Sequence, residues 1–223
     1  MQSVAWYREL GADGIAAALS VAIVAGYYLR LRAKVRANPL YTIHALNQLA
    51  RGLWVKNVMA NPSKDVMAVQ TLRNFVMGAT LMASTAALLI LGTLTLSGQV
   101  EVASRNWHVF DAYGSPSPEL WVVKVIALLA DFIVAFFAFA MSVRLANHVV
   151  FMINVGSSDV PAALTPEGVA RRLNRAGNHF ATGLRAFFFA VPLVFWLFGP
   201  AFLVAATLGL VAALHRLDRN PDS

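Results

Sequence analysis

A carboxylate in the middle of a long apolar run is the group in this sequence most able to do chemistry. Asp131 lies eleven residues into a run that begins near Leu120, close to the centre of a membrane-crossing helix. Charges at that depth are costly and usually face protein or water. Asp131 can bind a cation or relay a proton there. Alternatively it is a protonated or hydrogen-bonded residue meeting Thr80, Ser84 or Thr85 of a neighbouring helix. Lys124 lies seven residues earlier on nearly the same helix face. Two turns separate the pair by roughly 10 Å, so direct pairing is not expected and Lys124 is read as snorkelling outward.

A second grouping is basic. Arg144 and His148 are four residues apart and share a helix face. With Arg73 or Arg185 they form an anion or lipid-headgroup site, or else a hydrogen-bond network tying surface helices to a bundle. His44, His148 and His179 can approach one another, but no two sit on separate spans at the mid-depth a b-type haem requires. No His-x-x-x-His and no carboxylate cluster suggests a metal, so neither metal nor cofactor is assigned. No phosphate loop, nucleophile elbow or dinucleotide fingerprint is present, and no catalytic residue is named.

The elements that position these groups follow from composition. Hydrophobic residues make up 58% of the chain and charged residues 13%, against about a quarter charged in a soluble domain. Mean hydropathy is +0.62. Cysteine is absent, which excludes disulfides, thiolate metal sites and a cysteine nucleophile. The net charge of +7 comes from basic residues beside apolar runs. That placement points to membrane topology and anionic lipid, not nucleic acid.

The predicted fold is an all-α membrane protein: a four-span transmembrane helical bundle with cytoplasmic amphipathic interfacial helices, in a single domain over 1–223. The spans fall at about 12–31, 74–97, 120–150 and 184–214, each long enough for a hydrocarbon core about 30 Å thick. Arg30, Arg32, Lys34 and Arg36 follow the first span and argue against a cleaved signal. Asn38-Pro39 predicts an N-cap and first helical position for an interfacial helix over about 39–60. Asn61-Pro62 opens a helix that runs into the second span, whose small residues Gly78, Ala79, Ala83 and Ala86 suit close packing. Thr165-Pro166 starts a second interfacial helix over about 166–180, basic at Arg171, Arg172 and Arg175.

The last apolar run is interrupted by Pro192 and by Gly199-Pro200. It is read as one kinked span leaving the C-terminus outside. The competing reading is a hairpin at Gly199-Pro200, whose arms of about fourteen residues are short for a crossing. On the single-span reading, twelve basic residues lie in cytoplasmic segments and Arg8, Arg105, Arg216 and Arg219 lie outside. This positive-inside bias puts the N-terminus outside, in a bacterial inner (plasma) membrane.

The runs Gln70-Thr71-Leu72-Arg73-Asn74, Arg144 with His148, and Arg172-Leu173-Asn174-Arg175 carry a family resemblance. So do Gly183-Leu184-Arg185-Ala186-Phe187, Pro192-Leu193 and Trp196-Leu197-Phe198-Gly199-Pro200. Together, over roughly residues 30–215, the chain resembles an uncharacterised membrane family of plants and bacteria, catalogued as domain of unknown function five hundred ninety-nine. The resemblance implies a multi-pass membrane domain and supplies no activity. Its pattern carries a basic residue at Lys124 but no acid at Asp131. The matching polar positions are Arg73, Asn74, Arg144, His148, Arg172, Asn174, Arg175 and Arg185, which places any shared function at the cytoplasmic rim.

Three functions fit. A homo-oligomeric channel- or transporter-like protein uses Asp131 and the broken last span, building a pore by symmetry. An accessory or scaffolding subunit of a larger membrane complex needs no catalytic motif. A lipid-headgroup-binding protein or membrane enzyme uses the basic rim. The expected partners are the lipid bilayer, anionic lipid headgroups, and further copies or subunits.

Overall fold

A computed structural model of the chain describes residues 2–98, 118–155 and 160–220. Among the described residues, in chain order, lie α1 (Gln2–Ala37), α2 (Ile43–Met59), a 3-10 turn (Pro62–Lys64), α3 (Asp65–Ser97), α4 (Pro118–Met152), α5 (Pro166–Trp196) and α6 (Pro200–Leu217). All but α2 are long and apolar enough to cross a membrane. The lipid-facing logic is simple: a helix satisfies its own backbone groups, which a bilayer core cannot do. Residues 99–117, with Arg105 and the Ser-Pro pairs of that connection, lie outside the described residues.

Five apolar helices replace the four expected spans, and the difference arises at two places. First, the amphipathic stretch 166–180 is not a separate interfacial helix. It continues without a break into the following apolar run as α5, 31 residues and therefore about 46 Å long. Pro192 sits inside that helix without ending it. Second, the chain turns at Gly199, whose φ of 138° only glycine adopts without strain. Pro200 then occupies the first turn of α6, where its missing N–H is no loss. The single kinked span is thus corrected to a hairpin. Its arms looked too short when counted from Leu184, but the first begins at Pro166. The second, at 18 residues, is about 27 Å long, close to the thickness of a hydrocarbon core.

Local capping sets the other boundaries. Thr165 accepts a 3.3 Å hydrogen bond from Gly168 N, the predicted N-cap of α5. The predicted cap at Asn38 is corrected: Asn38 Oδ1 accepts from Leu40 N at 3.1 Å and closes a turn. Thr42 caps α2 instead, accepting from Ala45 N at 3.3 Å.

α5 is the centre of the packing, touching α2, α4 and α6, while α3 lies on α4 and α1 on α6. A methyl group at Gly183 would come within 2.7 Å of the Phe139 ring, so this glycine is what lets α4 and α5 close. Nearby, Ser142 Oγ donates to Ala176 O at 2.9 Å inside the core. On α3, Ala79 and Ala86 are fully buried, as the small-residue face predicts. Among the described side chains of α1, the buried ones are Asp13, Ala16, Ser20 and Tyr27, one stripe at spacings of three, four and seven. Tyr27 clusters with Leu210 and Leu214 of α6, and Asp13 meets Trp196 beside the start of α6. The two helices therefore run antiparallel.

Candidate functional site

Two polar clusters sit at opposite ends of the bundle, about 21 Å apart along α1 at 1.5 Å per residue. The first joins three helices. Lys124 Nζ of α4 lies 2.9 Å from Asp13 Oδ1 of α1, with side chains only 4% and 1% exposed. Trp196 Nε1 of α5 donates to the same oxygen at 2.7 Å, and the ammonium stands 5.7 Å over the indole ring. Lys124 therefore points into the protein, which corrects the expectation that it snorkels outward. The reason is the acid on α1, which offers the ammonium a buried partner in place of water. Among the described residues Asp13 Oδ2 has no hydrogen-bond partner.

The second cluster gathers around the α1–α2 turn. Asp218, just past α6, accepts from Tyr27 Oη at 2.8 Å and from Arg185 Nη2 at 3.1 Å. The Arg185 guanidinium also lies 5.5 Å over the Tyr28 ring. Residues 218–220 run along the turn: Ile43 N donates to Asp218 O at 3.2 Å and Asn220 N to Tyr41 O at 2.9 Å, with an antiparallel bridge between Thr42 and Arg219.

Between α2 and α5 the same end is laced by amides. Arg51 Nε donates to Asn174 Oδ1 at 2.8 Å, Asn174 Nδ2 to Gln48 O at 3.2 Å, and Gln48 Nε2 to Asn178 Oδ1 at 3.0 Å. Gly177 makes room: a Cβ there would lie 2.6 Å from the Arg51 guanidinium carbon. Burial pulls the Arg51 pKa below its ordinary value. His44 Nε2 is 2.9 Å from Gln48 Nε2. Its imidazole pKa is lowered, chiefly by burial and then by the charges of Arg185 and Arg51, so the ring favours its neutral form.

These elements enclose an open groove of about 870 Å³ between α1, α2 and α5. Arg32, Arg36 and Arg185 line it together with His44 and Gln48, and Tyr28, Leu31 and Val35 supply an apolar wall. Among the described residues no carboxylate lines it. Arg32 and Arg36 are exposed. Three guanidinium groups beside an apolar wall match an anion carried on an apolar stem.

Of the rim residues named from the sequence, Arg185 and Asn174 enter this cluster. Arg73, Asn74, Arg144, His148 and Arg175 are exposed on their helices and Arg172 is half-buried; among the described residues no hydrogen bond joins them to one another. Asp131 is half-buried on α4, and its Oδ2 is buried with no hydrogen-bond partner among the described residues. Thr85, offered as its partner, bonds instead to Leu81 O of its own helix at 2.9 Å. Sequence reasoning gives no site role to Asp13, Tyr27 or Asp218, and names Trp196 only within a motif of the family resemblance. The heptad spacing of Asp13, Ser20 and Tyr27 on one apolar helix was the available signal.

A family model described as a protein of unknown function, DUF599, matches residues 15–223. The match covers nearly the whole chain, which belongs to this family. No curated protein and no solved structure matches.

Proposed function

We propose that this multi-pass membrane protein binds an anionic lipid headgroup in the groove between α1, α2 and α5. The observation that carries the reading is the lining itself: Arg32, Arg36 and Arg185 stand beside Leu31 and Val35. A free anion needs the arginines alone, whereas a phospholipid also uses the apolar wall. Orientation supports it. Because α6 returns to the α1–α2 turn, Arg216 and Arg219 join the basic end, which with Arg144 carries fifteen of the eighteen Lys and Arg residues. By the positive-inside rule that end is cytoplasmic and the N-terminus faces out. The groove thus opens at the level of the leaflet richest in anionic lipid.

The test is native mass spectrometry of the chain released from nanodiscs of mixed zwitterionic and anionic phospholipid. Retained anionic lipid should be lost in the triple variant Arg32→Gln, Arg36→Gln, Arg185→Gln. Equal retention by the variant would remove the reading.

A homo-oligomeric channel or transporter is the second reading. Asp131 favours it, since a half-buried carboxyl with one unpartnered oxygen in an apolar helix is suited to a partner supplied by another copy or by a transported ion. Liposome flux that is the same in Asp131→Asn as in the native chain would sink the version that uses Asp131.

A further inference from the structure

We propose that Asp218 is the built-in counterion of the groove: an arriving phosphate takes Arg185 from it, and residues 218–220 then leave the α1–α2 turn. The proposal rests on the reading of the groove as an anion site and assigns that site its regulation. Arg185 belongs to both structures at once. It lines the groove, and its Nη2 is 3.1 Å from Asp218 Oδ1, with side chains 32% and 15% exposed. Arg32 and Arg36 are open to an incoming anion, while Arg185 is already occupied. One cation held between two anions favours the more highly charged one, and a phosphate also matches the guanidinium fork.

What Asp218 does next is set by its other bonds. Its Oδ2 keeps the hydrogen bond from Tyr27, so losing Arg185 does not strand the carboxylate. Its own backbone, however, belongs to the segment paired with Tyr41, Thr42 and Ile43. A shift of the Asp218 side chain toward Tyr27 is therefore transmitted directly to that pairing. Anion binding and release of the segment are then two sides of one coupling, and each must alter the other by the same factor.

The experiment uses the full chain in phosphatidylcholine nanodiscs, with phosphatidic acid added in one arm and inorganic phosphate in the other. The chain has no cysteine, so Asn220→Cys supplies a single reporter at a buried position. Its thiol labelling rate reads release of the segment. Asp218→Asn keeps an acceptor for Tyr27 while removing the charge. It should raise anion affinity about fivefold to tenfold, a typical coupling, and Arg185→Gln should speed labelling with no anion present. Faster labelling with phosphatidic acid alone assigns the site to a lipid headgroup, and with both anions to phosphate as such; either outcome supports the counterion role. If the anion binds but Asp218→Asn binds it equally or more weakly, or labelling ignores the anion, the counterion role is overturned and the groove reading stands. If neither anion binds the native chain or Asp218→Asn, both fall.

Discussion

Tyr27 and Asp218 stand 191 residues apart in the chain and 2.8 Å apart in the fold. Their hydrogen bond brings the end of the last helix to the base of the first. It also sets the end of α6 at the same end of the bundle as the end of α1, the arrangement that an odd number of crossings would give.

That parity is directly measurable. Single cysteines at Ser63 and Arg219 should react with a membrane-impermeant maleimide from the same side of sealed vesicles. A cysteine at Gly98, just past the far end of α3, should react from the other. Reaction of the positions 63 and 219 from opposite sides would restore the single kinked span.

The Asp13–Lys124 pair is almost fully shielded from water, so removing one partner leaves a buried charge. Lys124→Met should destabilise the protein by about 3–5 kcal/mol, the usual consequence of breaking such a pair. Combining it with Asp13→Asn should recover most of that loss. Reversible unfolding in mixed micelles checks both values. A double variant no more stable than the single one would show that Lys124 acts through something other than Asp13.

His44 gives the basic end a pH dependence. Its folded pKa lies below the ordinary 6.5, so the unfolded chain takes up the proton more readily. The contribution to stability is complete above that ordinary value and declines as pH falls through it, levelling off below the lowered folded value. His44→Gln should flatten this part of the melting-temperature profile between neutral and mildly acid pH. An unchanged slope would assign the dependence to another group.

Gly183 faces the Phe139 ring at a distance no side chain permits. Phe139 is fully buried and cannot swing away freely. Gly183→Ala should therefore lower stability by about 1–3 kcal/mol, as overpacking generally does. The companion change Phe139→Leu, which makes room, should offset part of the loss in the same unfolding assay.

Much of the fold was legible because lipid physics leaves few choices. The apolar runs identified the membrane helices, and Thr165-Pro166 marked the start of α5. The last segment was misread because amphipathic character was taken as a boundary. Arg171, Arg172 and Arg175 make the first half of α5 look like a surface helix, but a helix can leave the membrane without ending. The candidate site was less legible. Arg185 was legible as a basic residue near the rim, and Asn174 through the motif that carries the family resemblance. Asp218 and Tyr27 were not, because their pairing depends on where α6 ends, and that depends on the turn at Gly199. Lys124 was misplaced for a similar reason. Its partner lies on another helix, and spacing along one helix carries no information about its neighbours.

The pairing of Asp13 with Lys124 also constrains how the protein is made. The carboxylate emerges from the ribosome 111 residues before the ammonium that answers it. Throughout the synthesis of α2 and α3, the first helix holds its acid without that partner, and its other contacts, Trp196 and α6, come later still. Final docking of α1 is therefore a late event in biogenesis, a closing step that follows insertion of the hairpin. A chain truncated before α4 would carry a first helix with neither Lys124, Trp196 nor α6 to dock against, marked by that single unanswered charge.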